Sequence, residues 1–73
     1  MSLEFTPHAL EQMAARHITR DHVREALRVG PRELSFKNRQ VVRARVEDFE
    51  LTVIIVEEGG RTTVITAYRN PPW

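Results

Sequence analysis

The tightest constraint on this chain is a change of hydrophobic period at Gly30-Pro31. Before it, apolar residues recur at helical spacing; after it they alternate, as strands require. A chain whose helices come together and whose main run of strands follows them folds as α+β. With 73 residues there is room for one thin two-layer core, because a domain this small buries only about 60% of its extended-chain surface. One domain over residues 1–73 is therefore expected.

Leu3-Glu4-Phe5-Thr6 alternates apolar and polar residues and predicts a short first strand. Thr6 reads as a helix cap, since Pro7 at the first helical position loses no needed N–H. Phe5 and Leu10 can staple that start, and the apolar stripe runs Leu10, Met13, Ala14, His17. Thr19 caps a second helix over about Arg20 to Val29, with Asp21 in its first turn and Ile18 placed to staple onto Val23. Val23, Ala26 and Leu27 form its buried stripe. Gly30 is expected to turn left-handed, and Pro31 blocks continuation.

Leu34 and Phe36 fit a short extended piece. Gln40 to Glu47 then alternates, with Val42, Ala44 and Val46 on one face and Arg39, Val41, Arg43 and Arg45 on the other. Leu51 to Val56 is apolar on both faces, which marks a central strand. Glu58-Gly59-Gly60-Arg61 makes a turn, Thr62 to Tyr68 forms the last strand, and the tail Asn70-Pro71-Pro72-Trp73 cannot extend a ladder. The expected architecture is a short strand, then a two-helix hairpin burying Leu10, Met13, Val23 and Leu27 against a three- to four-stranded antiparallel sheet. The second sheet face stays open and carries Arg43 and Arg45.

Cysteine is absent, which excludes disulfides, thiolate metal sites and cysteine nucleophiles. No signal-like start and no apolar run of about 18 residues is present, so a soluble cytoplasmic protein without a membrane partner is expected. The net charge of +1 hides a segregation: residues 16–45 hold nine bases against three acids, and residues 46–60 hold five acids and no base. Ten of the eleven bases are arginine, suited to bidentate contact with phosphate or carboxylate. The band is either a solvated surface of intrachain ion pairs or a polyanion site.

His8, Gln12 and Arg16 share a polar row on the first helix. Imidazole titrates near neutral pH and guanidinium stays charged, a pairing that phosphodiester cleavage can use; a plain solvated face is the other reading. His17 reads as a packed residue and His22 as a capping partner. The histidine spacing matches no metal motif, and no cofactor is expected. Tyr68, followed by Arg69, is either an amphipathic edge residue or a platform for a base. Trp73 reads in three ways: covering the open sheet face, joining a dimer interface, or disordered after Pro71-Pro72.

The stretch Thr6-Pro7-His8-Ala9-Leu10-Glu11-Gln12-Met13-Ala14-Ala15-Arg16-His17-Ile18-Thr19, with the closing Val-Ile-Thr-Ala-Tyr-Arg strand, resembles a prokaryotic family of small uncharacterised domains. Its members open with a T-x-H-A-x-x-R-M-x-x-R-x-I signature and end in a V-x-T-x-Y strand. The resemblance implies the RelE/ParE-like toxin fold. Many members of that superfamily are metal-independent endoribonucleases acting on free or ribosome-bound RNA and held inactive by an antitoxin; the ParE type poisons gyrase instead. Carried over by position, the signature histidine is His8, the second arginine Arg16 and the terminal tyrosine Tyr68. Gln12 replaces the first arginine and loses its charge.

The expected function is an RNA-binding toxin-type domain, with cleavage through His8, Arg16 and Tyr68 and RNA contact through Gln12, Arg39, Arg43, Arg45 and Arg69. RNA or the ribosome and an antitoxin protein are the partners this implies. The alternative is a non-catalytic interaction module that uses the open sheet face for a homodimer or a protein partner.

Overall fold

A computed structural model gives the fold of residues 2–70, the side chain of Phe36 aside. Helix α1 (Pro7–Ala15) starts at the expected cap: the Thr6 hydroxyl accepts from the Ala9 N–H at 3.0 Å. It stops because His17 turns left-handed, with φ 58°. The Ile18 and His17 N–H groups then reach back to the Met13 and Ala14 carbonyls, at 2.9 and 3.4 Å. This is a Schellman stop with histidine where glycine is usual. His17 is therefore exposed beyond the helix rather than on its buried stripe.

Leu10 also departs from expectation, being 37% exposed, while Ala9 and Met13 are buried. The helix is rolled by about one residue, roughly 100°. Small Ala9 thereby takes the inner place and lets α1 lie close on the last strand, its main packing partner.

Helix α2 (Arg20–Val29) is closed by a reciprocal box, as expected: the Thr19 hydroxyl accepts from the His22 N–H at 3.1 Å, and His22 Nδ1 accepts from the Thr19 N–H at 3.0 Å. Val23 and Ala26 are fully buried and Leu27 partly so. Gly30 is extended (φ −84°, ψ 142°), not left-handed. Glycine is needed there for space. A Cβ would stand 2.8 Å from the Arg43 carbonyl oxygen and from Val42 Cγ1, and 2.9 Å from the Ala26 carbonyl oxygen. Two of those neighbours are backbone, so relief means moving α2 off the sheet. Gly30→Ala is expected to lower stability by about 1–3 kcal/mol in urea titration. A change below about 0.5 kcal/mol, the usual surface value, would contradict the close approach.

Five strands form one mixed sheet: β1 (Ser2–Phe5), β2 (Arg32–Leu34), β3 (Arg39–Val46), β4 (Phe49–Glu58) and β5 (Arg61–Asn70), in the order β1-β5-β4-β3-β2. This corrects the expected three- to four-stranded antiparallel sheet. The helical hairpin carries the chain to the far edge, and the β2-to-β5 meander brings it back beside β1 pointing the same way. β1 and β5 are hence parallel, with Leu3 opposite Thr62 and Phe5 opposite Val64. β2 is three exposed residues long, too short for alternation to reveal. Phe36 belongs to a turn over Phe36–Asn38 rather than to an extended piece, with Lys37 and Asn38 at φ 58° and 63°.

β4 is central, as its two apolar faces required. Phe49, Leu51, Val53 and Ile55 are buried under the helices, and Thr52, Ile54 and Val56 on the other face are half-buried. Gly59 and Gly60, at φ 56° and 78°, supply the tight turn into β5. β5 runs two residues beyond the expected Tyr68, so Asn70 still pairs, opposite Glu50. The rest of the tail, Trp73 included, lies outside the described residues.

β5 carries one irregularity that decides the functional surface. Ile54 faces Thr66 while Ile55 faces Val64, leaving Ile65 as an extra residue. Such a bulge shifts the alternation by one. Thr62 and Val64 point to the helices, and after the bulge Ala67 and Arg69 do so. Strict alternation from Val64 would have turned Tyr68 inward; the bulge turns it out.

Candidate nucleic-acid interface

The sheet face away from the helices is built of cross-strand rows. Arg43, Thr52 and Tyr68 lie in one row, Val41, Ile54 and Thr66 in the next, and Arg39, Val56 and Thr63 in a third. Arginine on β3 and a phenol on β5 thus flank a half-buried apolar strip. Tyr68 is 43% exposed. Arg39 and Arg45 are exposed and make no ion pair among the described residues, and Arg43 has a loose one to Glu33 at 3.9 Å. Little internal pairing opposes an incoming anion on this side.

Arg16 arrives from the helix layer around the sheet edge. β1 accompanies β5 only as far as Val64. Beyond that point no strand lies beside β5's outer edge among the described residues. Arg16 occupies this place: its Nη1 donates to the Ala67 carbonyl at 3.2 Å, and its guanidinium lies 5.3 Å from the centre of the Tyr68 ring. The carbonyl contact and the cation–π contact together fix both side chains. Of the row predicted on helix α1, this is the one member that meets Tyr68.

His8 is exposed and makes no hydrogen bond or ion pair among the described residues. It stands eight residues from Arg16, about 12 Å of helical rise. Gln12 sits half-buried between them. The structure thus brings Arg16, Tyr68 and the β3 arginines to one face and keeps the imidazole two turns away. Arg69 stands on the opposite side. The bulge turns it under the helices, where its guanidinium lies 3.9 Å from the Phe49 ring centre and donates to the His17 carbonyl at 3.0 Å.

His22 forms a second cluster. Nε2 lies 3.1 Å from Glu47 Oε2, and the ring meets Phe49 edge-on at 5.0 Å. A His–Glu pair resembles a general base with its orienting carboxylate. Here Nδ1 already accepts from the Thr19 N–H, so both ring nitrogens are engaged within the fold and neither faces an open site. The pair fastens the α2 cap to the β3–β4 turn. No group of three or more His, Asp or Glu among the described residues is placed to hold a metal, and no helix among them is long and apolar enough to cross a membrane.

Neither a curated protein nor a solved structure matches the chain significantly. Residues 5–69 match a family model described as a domain of unknown function, DUF4258. That span holds both helices and the β2-to-β5 meander up to Arg69, including Arg16, Tyr68 and the three β3 arginines, and the chain belongs to the DUF4258 family.

Proposed function

We propose that this domain binds single-stranded RNA across the open sheet face, as an RNA-directed domain of the RelE-like toxin type. The observation that carries the reading is the bracketing of an exposed phenol by cations: Arg16 at 5.3 Å on one side and Arg43 in the same cross-strand row on the other. A base stacks on such a ring whatever its sequence, while guanidinium groups hold the flanking phosphates. Arg39 and Arg45 extend the track along β3. An antitoxin protein is the partner that the toxin form of the reading adds.

The reading extends to cleavage without a metal. The 2′-oxygen would attack the neighbouring phosphorus as a base takes its proton, and the departing 5′-oxygen would receive a proton from an acid. Arg16 and Arg43 would offset the extra charge on phosphorus, with the Tyr68 phenol as the nearest proton carrier. His8, two turns away, would serve the adjoining nucleotide. Gln12 at the place of the family's first arginine weakens this chemistry more than it weakens binding.

The test is fluorescence polarisation of a labelled single-stranded RNA of about ten nucleotides in EDTA, with salt varied. Phosphate contacts from Arg16, Arg39, Arg43 and Arg45 predict a log–log slope of about −3. Tyr68→Ala is expected to weaken binding about tenfold through lost stacking, and Tyr68→Phe to keep most of it. Wild-type protein without salt-dependent binding would refute the reading, and intact RNA on a gel of the same samples would remove its catalytic extension.

A further inference from the structure

Away from the open face, a groove runs between helix α2 and edge strand β1. Two adjoining hollows form it, of about 390 and 410 Å³, which share Leu3 and Arg24. Leu3 and Leu27 give the first hollow an apolar floor, and the second, which holds Phe5 and Leu10, is lined mainly by polar surface. The unexpected exposure of Leu10 belongs to this groove. Its wall is a rail of arginine, Arg20, Arg24 and Arg28 from α2 and Arg32 just past it, recurring every four residues. Within α2 that period keeps Arg20, Arg24 and Arg28 on one side of the helix.

The chain's own acids show what the rail accepts. Arg24 holds Asp21 at 3.0 Å, Arg28 holds Glu25 in a two-pronged contact at 3.1 and 2.7 Å, and Arg32 approaches Glu57 at 3.4 Å. The Arg28 hydrogen bond holds the Glu25 carboxyl below its usual range. These partners are exposed or half-exposed, so a carboxylate from outside can exchange with them at small cost. β1 is the terminal strand of the sheet, with no strand beside its outer edge among the described residues. Ser2 and Glu4, on its other face, also line the hollows, which therefore reach that edge. An added strand would find backbone partners there.

We infer that this groove captures an extended, acidic, amphipathic peptide segment of a partner protein, with alternate apolar side chains on the Leu3–Leu27 floor and carboxylates on the Arg20–Arg32 rail. The charge pattern and the floor fix this occupant together. Nucleic acid would satisfy the rail but not the floor, where Leu3, Leu10 and Leu27 are aliphatic and offer a base no ring to stack on. Arg20 to Arg28 spans about 12 Å of helical rise, the reach of about four extended residues. The inference is independent of the RNA reading, which concerns the other side of the sheet.

The probe is a fluorescein-labelled peptide of about eight residues alternating Glu and Leu, followed by polarisation at low salt. Saturable binding to the wild-type protein is expected. Arg24→Glu with Arg28→Glu should weaken it at least about tenfold while the circular dichroism spectrum stays unchanged, as both side chains are exposed. Arg43→Glu should leave it unaltered. A peptide with Ser in place of Leu should bind at least about tenfold more weakly, and a single-stranded RNA should not displace the original peptide. Absence of binding, equal binding of the Ser peptide, insensitivity to the double substitution or displacement by RNA would each overturn the proposal.

Discussion

Phe49→Ala is expected to lower the unfolding free energy by about 3–5 kcal/mol. Phe49 is 2% exposed and among the largest fully enclosed side chains, so truncation leaves a void that the flanking strands fill only in part. Three further contacts end on its ring or beside it. The Arg69 guanidinium stacks at 3.9 Å, the His22 ring meets it edge-on at 5.0 Å, and His22 ties the α2 cap to Glu47 in the β3–β4 turn. Losing the ring thus loosens the start of α2, the turn and the end of β5 together. A 73-residue domain typically has about 4–11 kcal/mol in all, so the variant should be marginal at 37 °C. Urea titration supplies the measurement, with Phe49→Leu as the conservative control expected to lose less than half as much. A loss under about 1 kcal/mol for the alanine variant would show that this corner does not hold the helices to the sheet.

What the sequence revealed and what it hid divide along physical lines. Caps, both helix starts, the end of α2, the central strand and the two faces of β3 were legible, because each depends on residues within a few positions: Thr6 with Pro7, Thr19 with His22, and the alternation of Val42, Ala44 and Val46 with the arginines between. The hidden features depend on packing across the chain. Rolling α1 inward onto Ala9 is set by β5, 55 residues on from Ala9 at Val64, and it moved Leu10 out to the groove. Gly30 looked like a left-handed stop since that is glycine's usual service at a helix end; the real constraint is the Arg43 carbonyl arriving from another element.

The candidate site was half legible for the same reason. Residue types picked out Arg16, Tyr68 and the β3 arginines, yet nothing local placed them together. Ile65 does that, as the extra residue that turns Tyr68 outward and Arg69 inward. The basic rail on α2 had a signal that was available: arginine at positions 20, 24, 28 and 32 is a strict period of four. It reads as ordinary solvated helix until β1 is seen to run beside it.

The open face carries the second large effect. Replacing Arg39, Arg43 and Arg45 together by glutamine is expected to weaken single-stranded RNA binding about a hundredfold near 0.1 M salt and to bring the salt slope from about −3 to about −1, the contact of Arg16 remaining. Glutamine removes the charge while keeping a long polar side chain, so β3 retains its pairing with β4. Charge reversal would serve less well, because Arg45 lies opposite Glu50 in the strand register, and like charges in that position cost about 0.2–1 kcal/mol of stability. All three positions are exposed, and the triple variant should therefore unfold within about 0.5 kcal/mol of wild type per site. An affinity unchanged by the substitutions would remove the phosphate track and leave Val41, Ile54 and Val56 as the feature of this face that needs an explanation. Half-buried apolar side chains in neighbouring rows then fit a contact between protein surfaces, and light scattering on the same variant, by reporting a dimer or a monomer, would say whether the second surface is another copy of the chain.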